Sequence, residues 1–209
     1  MDNWSIFLQP DNVRISTSNR LDFMANSICF LMPDFTLVDH SFDLEDFSKS
    51  LNFDFIFSNR KTAYFGKYSY SYGHTTHIPK SIDDNEYIRK LFYSFIEIFP
   101  YSNVNSVLIN CYSNDSSHLP FHADNEIYIA NDSYIFTLSL GCDRQICFRD
   151  ALSHNSLLKV NLQHGSLICF SKRSQELFEH SILPACYKTK AGPQKFAYRI
   201  SLTFRHVKH

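Results

Sequence analysis

The sequence predicts an α+β fold in which many short strands wrap into a two-sheet jelly roll supported by helices from the N-terminal side. Two observations carry this. Residues 81–99 place Ile88, Leu91, Phe92, Phe95 and Phe99 at helical spacing. After Pro100 the pattern changes to short strand-like runs: SVLINCY, YIFTLSLG, QICFRD, LLKVNL, HGSLICFS, FEHSIL and FAYRISLTF. Turn-prone NDSS, GCD and HNS separate several of them. One amphipathic helix followed by many short strands fits a jelly roll with helical support.

Taken in order, the first forty residues yield only SICFLM, a short buried strand ending at Pro33. The segment SFDLEDFSKSL predicts a short helix with Ser41 as N-cap and Leu44, Phe47 and Leu51 on one side. Residues 63–72, AYFGKYSYSY, alternate aromatic with small or polar residues after Gly66, as a strand or hairpin does. Its row of Tyr68, Tyr70 and Tyr72 serves either ordinary sheet packing or base stacking. Ser81 and Asp84 form a capping box for the helix over 81–99, and Pro100 ends it.

The 209 residues fit one domain, and an apolar share of 44% with 20 Phe and 12 Tyr supplies a packed core. No apolar run reaches the roughly 18 residues of a membrane span. The N-terminus MDNWSIFLQPDN lacks the basic-then-apolar pattern of a signal peptide. Six cysteines without a CxxC pair, several in apolar runs, read as buried reduced thiols in an intracellular compartment. The net charge of −1 hides an asymmetry: residues 1–59 carry nine acids and three bases, and the remainder is mildly basic. Its clusters Arg60-Lys61, Lys172-Arg173 and Lys188/Lys190/Lys195 either track a phosphate backbone or form a solvated surface.

Candidate chemistry lies in the second half. His122 and Asp124 in HADNE share one face of an extended segment, and His180 in FEHSIL can join them from a distant strand. Two imidazoles and one carboxylate leave coordination positions open, as non-haem Fe(II) sites do; H-x-D alone is more often a turn with a satisfied histidine. Arg199 and Arg205, six apart in RISLTFR, face the same way. Both either meet the carboxylates of a small ligand or pair with acids of the protein. Asn110 and Tyr112 share a face near enough to His122 to line one pocket. Pro120 between His118 and His122 argues against a zinc-binding helix, and His74 and His77 read as surface-loop residues.

In order along the chain, NRKTAYFG, LINCY, HADNE, HGSLICF, QELFEHSILP and RISLTFR resemble the AlkB family of Fe(II)/2-oxoglutarate-dependent nucleic-acid dealkylases. The resemblance covers roughly residues 55–207. It implies a double-stranded β-helix core with a nucleotide-recognition lid in a domain over 55–209, preceded by an extension with supporting elements over 1–54. It implies iron held by His122, Asp124 and His180, with Arg205 among the catalytic residues. It assigns 2-oxoglutarate to Asn110, Tyr112, Arg199, Thr203 and Arg205, with Arg199 on the distal carboxylate. Arg60, Tyr70, Ser71, Tyr72, Asn125 and Glu126 would face the substrate nucleotide.

The implied reaction is oxidative demethylation of N1-methyladenine and N3-methylcytosine in single-stranded RNA or DNA. It consumes dioxygen and 2-oxoglutarate and releases formaldehyde, in a monomeric domain with no membrane association in the cytoplasm or nucleus. The chain departs from the family in three places. Residues 185–198 make a longer polar connection, Asn125 replaces an acid, and the first forty residues match nothing. The chain is also similar to AlkB domains within plant RNA virus replication polyproteins, which would place it in host cytoplasm. Two alternatives stay open. A 2-oxoglutarate-dependent hydroxylase of a protein or small molecule would share the iron site without the lid, and a non-catalytic jelly-roll module would bind RNA without either.

Overall fold

A computed structural model of the chain describes residues 5–8, 29–32, 35, 37–38, 42–57, 60–72, 75–113, 115–130, 133–185 and 197–209. Its strands are β1 (Ser5–Leu8), β2 (Cys29–Met32), β3 (Phe55–Phe57), β4 (Arg60–Gly66), β5 (Tyr70–Tyr72), β6 (Thr75–His77) and β7 (Ser106–Tyr112). They continue as β8 (Leu119–His122), β9 (Ile135–Gly141), β10 (Arg144–Asp150), β11 (Ser156–Leu162), β12 (Leu167–Phe170), β13 (Phe178–Ile182) and β14 (Arg199–Arg205). The helices are α1 (Leu44–Ser50), α2 (Glu86–Ile98) and α3 (Lys172–Leu177).

One large antiparallel sheet runs β1-β2-β12-β9-β14-β7-β4-β3, and a smaller one runs β11-β10-β13-β8. The β5–β6 hairpin stands apart. This is the predicted jelly roll, and its packing follows from period-two alternation. On β14, Ile200, Leu202 and Phe204 point to the helices, and Arg199, Ser201, Thr203 and Arg205 point between the sheets. Helix α2 buries Ile88, Leu91, Phe92 and Phe95 on the outer side. There the Phe95 ring stacks on Phe204 at 4.2 Å and meets Phe136 at 5.1 Å. A second cluster, with Leu108, Ile146, Phe148, Ile168 and Phe170, fills the space between the sheets.

Three local expectations are corrected. The helix predicted over 81–99 is two elements. The Ser81/Asp84 capping box closes a 3-10 turn over Ile82–Asp84, and Asn85 then adopts an extended φ of −135°. Asn85 starts α2 afresh by accepting from Ile88 N, and its amide donates to Ser50 on α1, so a tertiary contact breaks the helix. The N-cap of α1 is Asp43, which accepts from the amides of Glu45 and Asp46; Ser41 lies outside the described residues. Residues 63–72 do not form one hairpin. β4 belongs to the large sheet, where a Cβ on Gly66 would come within 2.6 Å of Ser106 Cβ, and β5 pairs with β6 instead.

Cys111, Cys142, Cys147 and Cys169 are buried and not in disulfides, and burial pushes the Cys111 thiol up to about 11. Among the described residues no helix is long and apolar enough to cross a membrane.

Candidate metal centre and adjoining cavity

Strand register assembles the centre. β13 lies between β10 and β8, and His180 sits directly opposite His122 across the β13–β8 ladder. Cross-strand partners project to the same face of a sheet, so two imidazoles far apart in sequence come together with ring centroids 4.3 Å apart. The chain leaves β8 after His122 and carries Asp124 back to the same point, with Oδ1 3.6 Å from His122 Nε2. One ligand atom from each of His122, Asp124 and His180 lies within 4.8 Å of the others.

The surroundings set the protonation of this trio. His122 Nδ1 lies 2.9 Å from the Pro120 carbonyl. A carbonyl only accepts, so Nδ1 carries the proton and Nε2 is left to face the centre. His180 is buried against Phe170, stacked at 4.8 Å. Burial, then the charge of His122, push His180 down to about 3 against the pull of Asp124. For Asp124, burial opposes ionisation, but Arg205, His122 and His180 outweigh it and hold the carboxyl at about 2. At neutral pH His180 is therefore an unprotonated nitrogen donor and Asp124 an anion.

The centre opens into a cavity of about 340 Å³ between the sheets. At one end Arg199, fully buried, donates to Ser139 Oγ at 2.8 Å and lies 5.1 Å from the Tyr112 ring centroid. Its Nε and Nη1 have no hydrogen-bond partner, and burial pulls its pKa down. Asn110, Tyr112 and Thr203 line the cavity as well; Thr203 Oγ1 is 3.2 Å from Thr137 Oγ1. At the other end Arg205 donates to Asp124 Oδ1 at 2.7 Å and to the Tyr70 hydroxyl at 3.3 Å. Of the two fates open for the arginines, Arg205 meets an acid of the protein and Arg199 does not.

The expected substrate-facing residues are only partly gathered. Arg60 lines the cavity but donates to Asn110 Oδ1 at 3.2 Å. Tyr70 is buried, with one face stacked on His77 at 5.0 Å and an edge contact to Tyr64 at 4.9 Å. Glu126 lines the cavity with both carboxylate oxygens unpartnered. Burial, with repulsion from Asp124 and against Arg205, raises its pKa. Ser71 pairs with Thr76 instead, Asn125 points to solvent, and neither lines the cavity; the Tyr72 side chain lies outside the described residues. His77, read from sequence as a surface-loop residue, is 3% exposed and lines the cavity beside Tyr70. It sits on β6, a strand too short to show a period, and the cross-strand pairing Tyr70↔His77 buries it. Thr62, also unforeseen, presents an unpartnered buried hydroxyl; the alternation of Arg60, Thr62 and Tyr64 on β4 was its available signal.

A jelly roll with two imidazoles, one carboxylate and an unsatisfied guanidinium in one cavity defines a class, and comparison agrees. The 2OG-Fe(II) oxygenase superfamily matches residues 54–205, and the chain belongs to it. Its relatives fall in the AlkB branch. Over 110 residues it is 32% identical to DNA oxidative demethylase ALKBH2 of Bos taurus, covering 49% of this chain and 37% of that protein. Over 159 residues it is 26% identical to alpha-ketoglutarate-dependent dioxygenase alkB homolog 3 of Bos taurus, covering 71% and 51%. The chain thus spans about half or less of these relatives. The solved structure of OsALKBH1 shares the fold, with a TM-score of 0.58 at 19% identity over 85% of this chain and 97% of that one.

Membership implies Fe(II) and 2-oxoglutarate, and the residues present fit both. The donors are nitrogen and oxygen with no sulfur, which suits Fe(II). Two unpartnered guanidinium nitrogens in the same cavity suit a carboxylate.

Proposed function

We propose that this chain is an oxidative demethylase of N-methylated nucleobases, acting on N1-methyladenine and N3-methylcytosine in single-stranded RNA or DNA. The observation that carries this reading is one cavity holding the His122–Asp124–His180 trio, the unsatisfied Arg199 and the wall formed by Tyr70, His77 and Glu126. The relatives' names, DNA oxidative demethylase and alkB homolog 3, point to nucleic acid.

In this reading His122, Asp124 and His180 hold Fe(II), and Asn110, Tyr112, Arg199 and Thr203 hold 2-oxoglutarate, with Arg199 on its distal carboxylate. Arg205 orients the ligand carboxylate of Asp124 and would be a further contact for 2-oxoglutarate. When bound, iron and 2-oxoglutarate supply with dioxygen the oxidising power that hydroxylates an N-methyl carbon, after which the base sheds formaldehyde. The protein supplies position and dryness. Phe148 and Phe170 pack around His180 and keep bulk water from its nitrogen. Thr62 Oγ and the Glu126 carboxyl are hydrogen-bonding groups that only an occupant of the cavity can satisfy. A methyl on the pairing edge of a base is out of reach in a duplex, so the nucleotide must enter unpaired.

The test is incubation of the chain with Fe(II), 2-oxoglutarate and oligonucleotides carrying either methylated base, followed by mass analysis and formaldehyde detection. Loss of the methyl group with equimolar formaldehyde is expected, faster on single strands than on duplex. Intact methylation, with 2-oxoglutarate shown to bind, would sink the substrate assignment. His122→Ala should abolish both turnover and metal retention.

A further inference from the structure

We infer that Gln175 is a positioning residue for the metal centre, fixing the loop that carries Asp124 to the short helix that leads into His180. This role rests on the centre proposed above. Helix α3 joins β12 to β13, and Lys172, Arg173, Glu176 and Leu177 all face outward. Gln175 alone of its long polar side chains turns inward, where it is 6% exposed. Burying a primary amide is unfavourable unless it is hydrogen-bonded. Its partner is specific: Gln175 Oε1 accepts from the backbone N–H of Asp124 at 2.8 Å.

That N–H needs such a partner. The β8–β13 ladder pairs His122 with His180 and Leu119 with Ile182, and β8 ends at His122. Asp124 lies beyond the ladder, so no strand neighbour takes its amide. Gln175 supplies the missing acceptor across 51 residues of sequence. The same helix leads directly into β13, and Gln175 lies five positions before His180, so one short segment of chain references both branches of the trio. Asp124 is thereby held twice: its carboxylate by Arg205 and its main chain by Gln175. The helix does not need this bond for its own closure. Ser171 accepts from Ser174 N at its start, and the Phe178 amide donates to Ser174 O at its end.

The experiment is a calorimetric titration of Mn(II), standing in for Fe(II), into the apo chain and two variants. Gln175→Leu keeps a branched side chain one atom shorter and removes the acceptor; Gln175→Glu restores an acceptor oxygen at the same reach. Gln175→Leu should weaken Mn(II) binding roughly 10- to 100-fold, and Gln175→Glu should recover most of that loss. A Leu variant that binds like the wild type, or a Glu variant as weak as the Leu variant, overturns the role. A wild-type chain that does not bind Mn(II) overturns the centre itself and this role with it. The titration uses no nucleic acid, so a failed demethylation assay leaves its result standing. If Gln175→Leu does not fold, hydrogen exchange of the Asp124 amide in the wild-type apo protein decides. Protection is expected, and exchange at the rate of an open loop overturns the assignment.

Discussion

Arg199 and Arg205 stand on one strand, face one cavity and are equally withdrawn from water, yet they are opposite kinds of buried charge. Arg205 is neutralised within the fold. Although burial works against its charge, Asp124, then Tyr70 and Glu126, hold its proton more tightly than usual. Arg199 has a serine hydroxyl and an aromatic ring, two idle nitrogens and a pKa lowered chiefly by burial. A buried guanidinium without an anion is tolerated only if something compensates it. One end of the cavity thus holds a protein carboxylate in place, and the other leaves two guanidinium nitrogens unpartnered, as the proposed role of Arg199 in binding 2-oxoglutarate requires.

The largest expected effect breaks the ion-paired end. Arg205→Leu strands the Asp124 carboxylate in the interior and should cost about 3–5 kcal/mol of stability in urea unfolding. Metal binding should be lost with it. A cost below about 1 kcal/mol would show that the pair is not structural. Arg199→Leu should behave in the opposite way. Apo stability should stay level or rise, because an uncompensated buried charge is removed. The apparent dissociation constant for 2-oxoglutarate should increase about 100-fold, since a charge-assisted pairing is lost. Equal destabilisation by the two substitutions would erase the distinction between the two ends.

This contrast shows where sequence reading reaches its limit. The alternation of RISLTFR places both arginines on one face, because strand period is local and exact. It does not say which arginine finds an acid, because Asp124 reaches Arg205 from the irregular segment after β8. The ligand types were legible in HADNE and FEHSIL, but the ladder that sets His122 opposite His180 is a long-range pairing with no local signature. His77 was misjudged for the same reason, since its burial depends on pairing with Tyr70. The helix over 81–99 was legible in its apolar spacing, and its break at Asn85 was not, because the cause is a contact with Ser50. Gln175 was legible as the first residue of QELFEHSILP, but its inward turn was not, because it sits in KRSQEL among outward-facing polar residues and its partner is a backbone amide 51 residues away.

The smallest effect sharpens the comparison through pH. A guanidinium does not titrate in the working range, so the Arg199 end contributes no pH dependence there. The Arg205 end does, through His180. In the unfolded chain that imidazole takes a proton near its ordinary 6.5, whereas the folded chain holds it at about 3. Between those values the unfolded state binds more protons, so stability falls as pH falls from 6.5 toward 3. The slope from this single group is at most about 1.4 kcal/mol per pH unit. Urea unfolding of the apo chain at pH 7, 6 and 5 should show the decline, and His180→Leu should make it shallower while Arg199→Leu leaves it unchanged. A His180→Leu slope identical to the wild type would mean that the imidazole is not held neutral by burial, and the contrast between a titratable end and a silent one would fail.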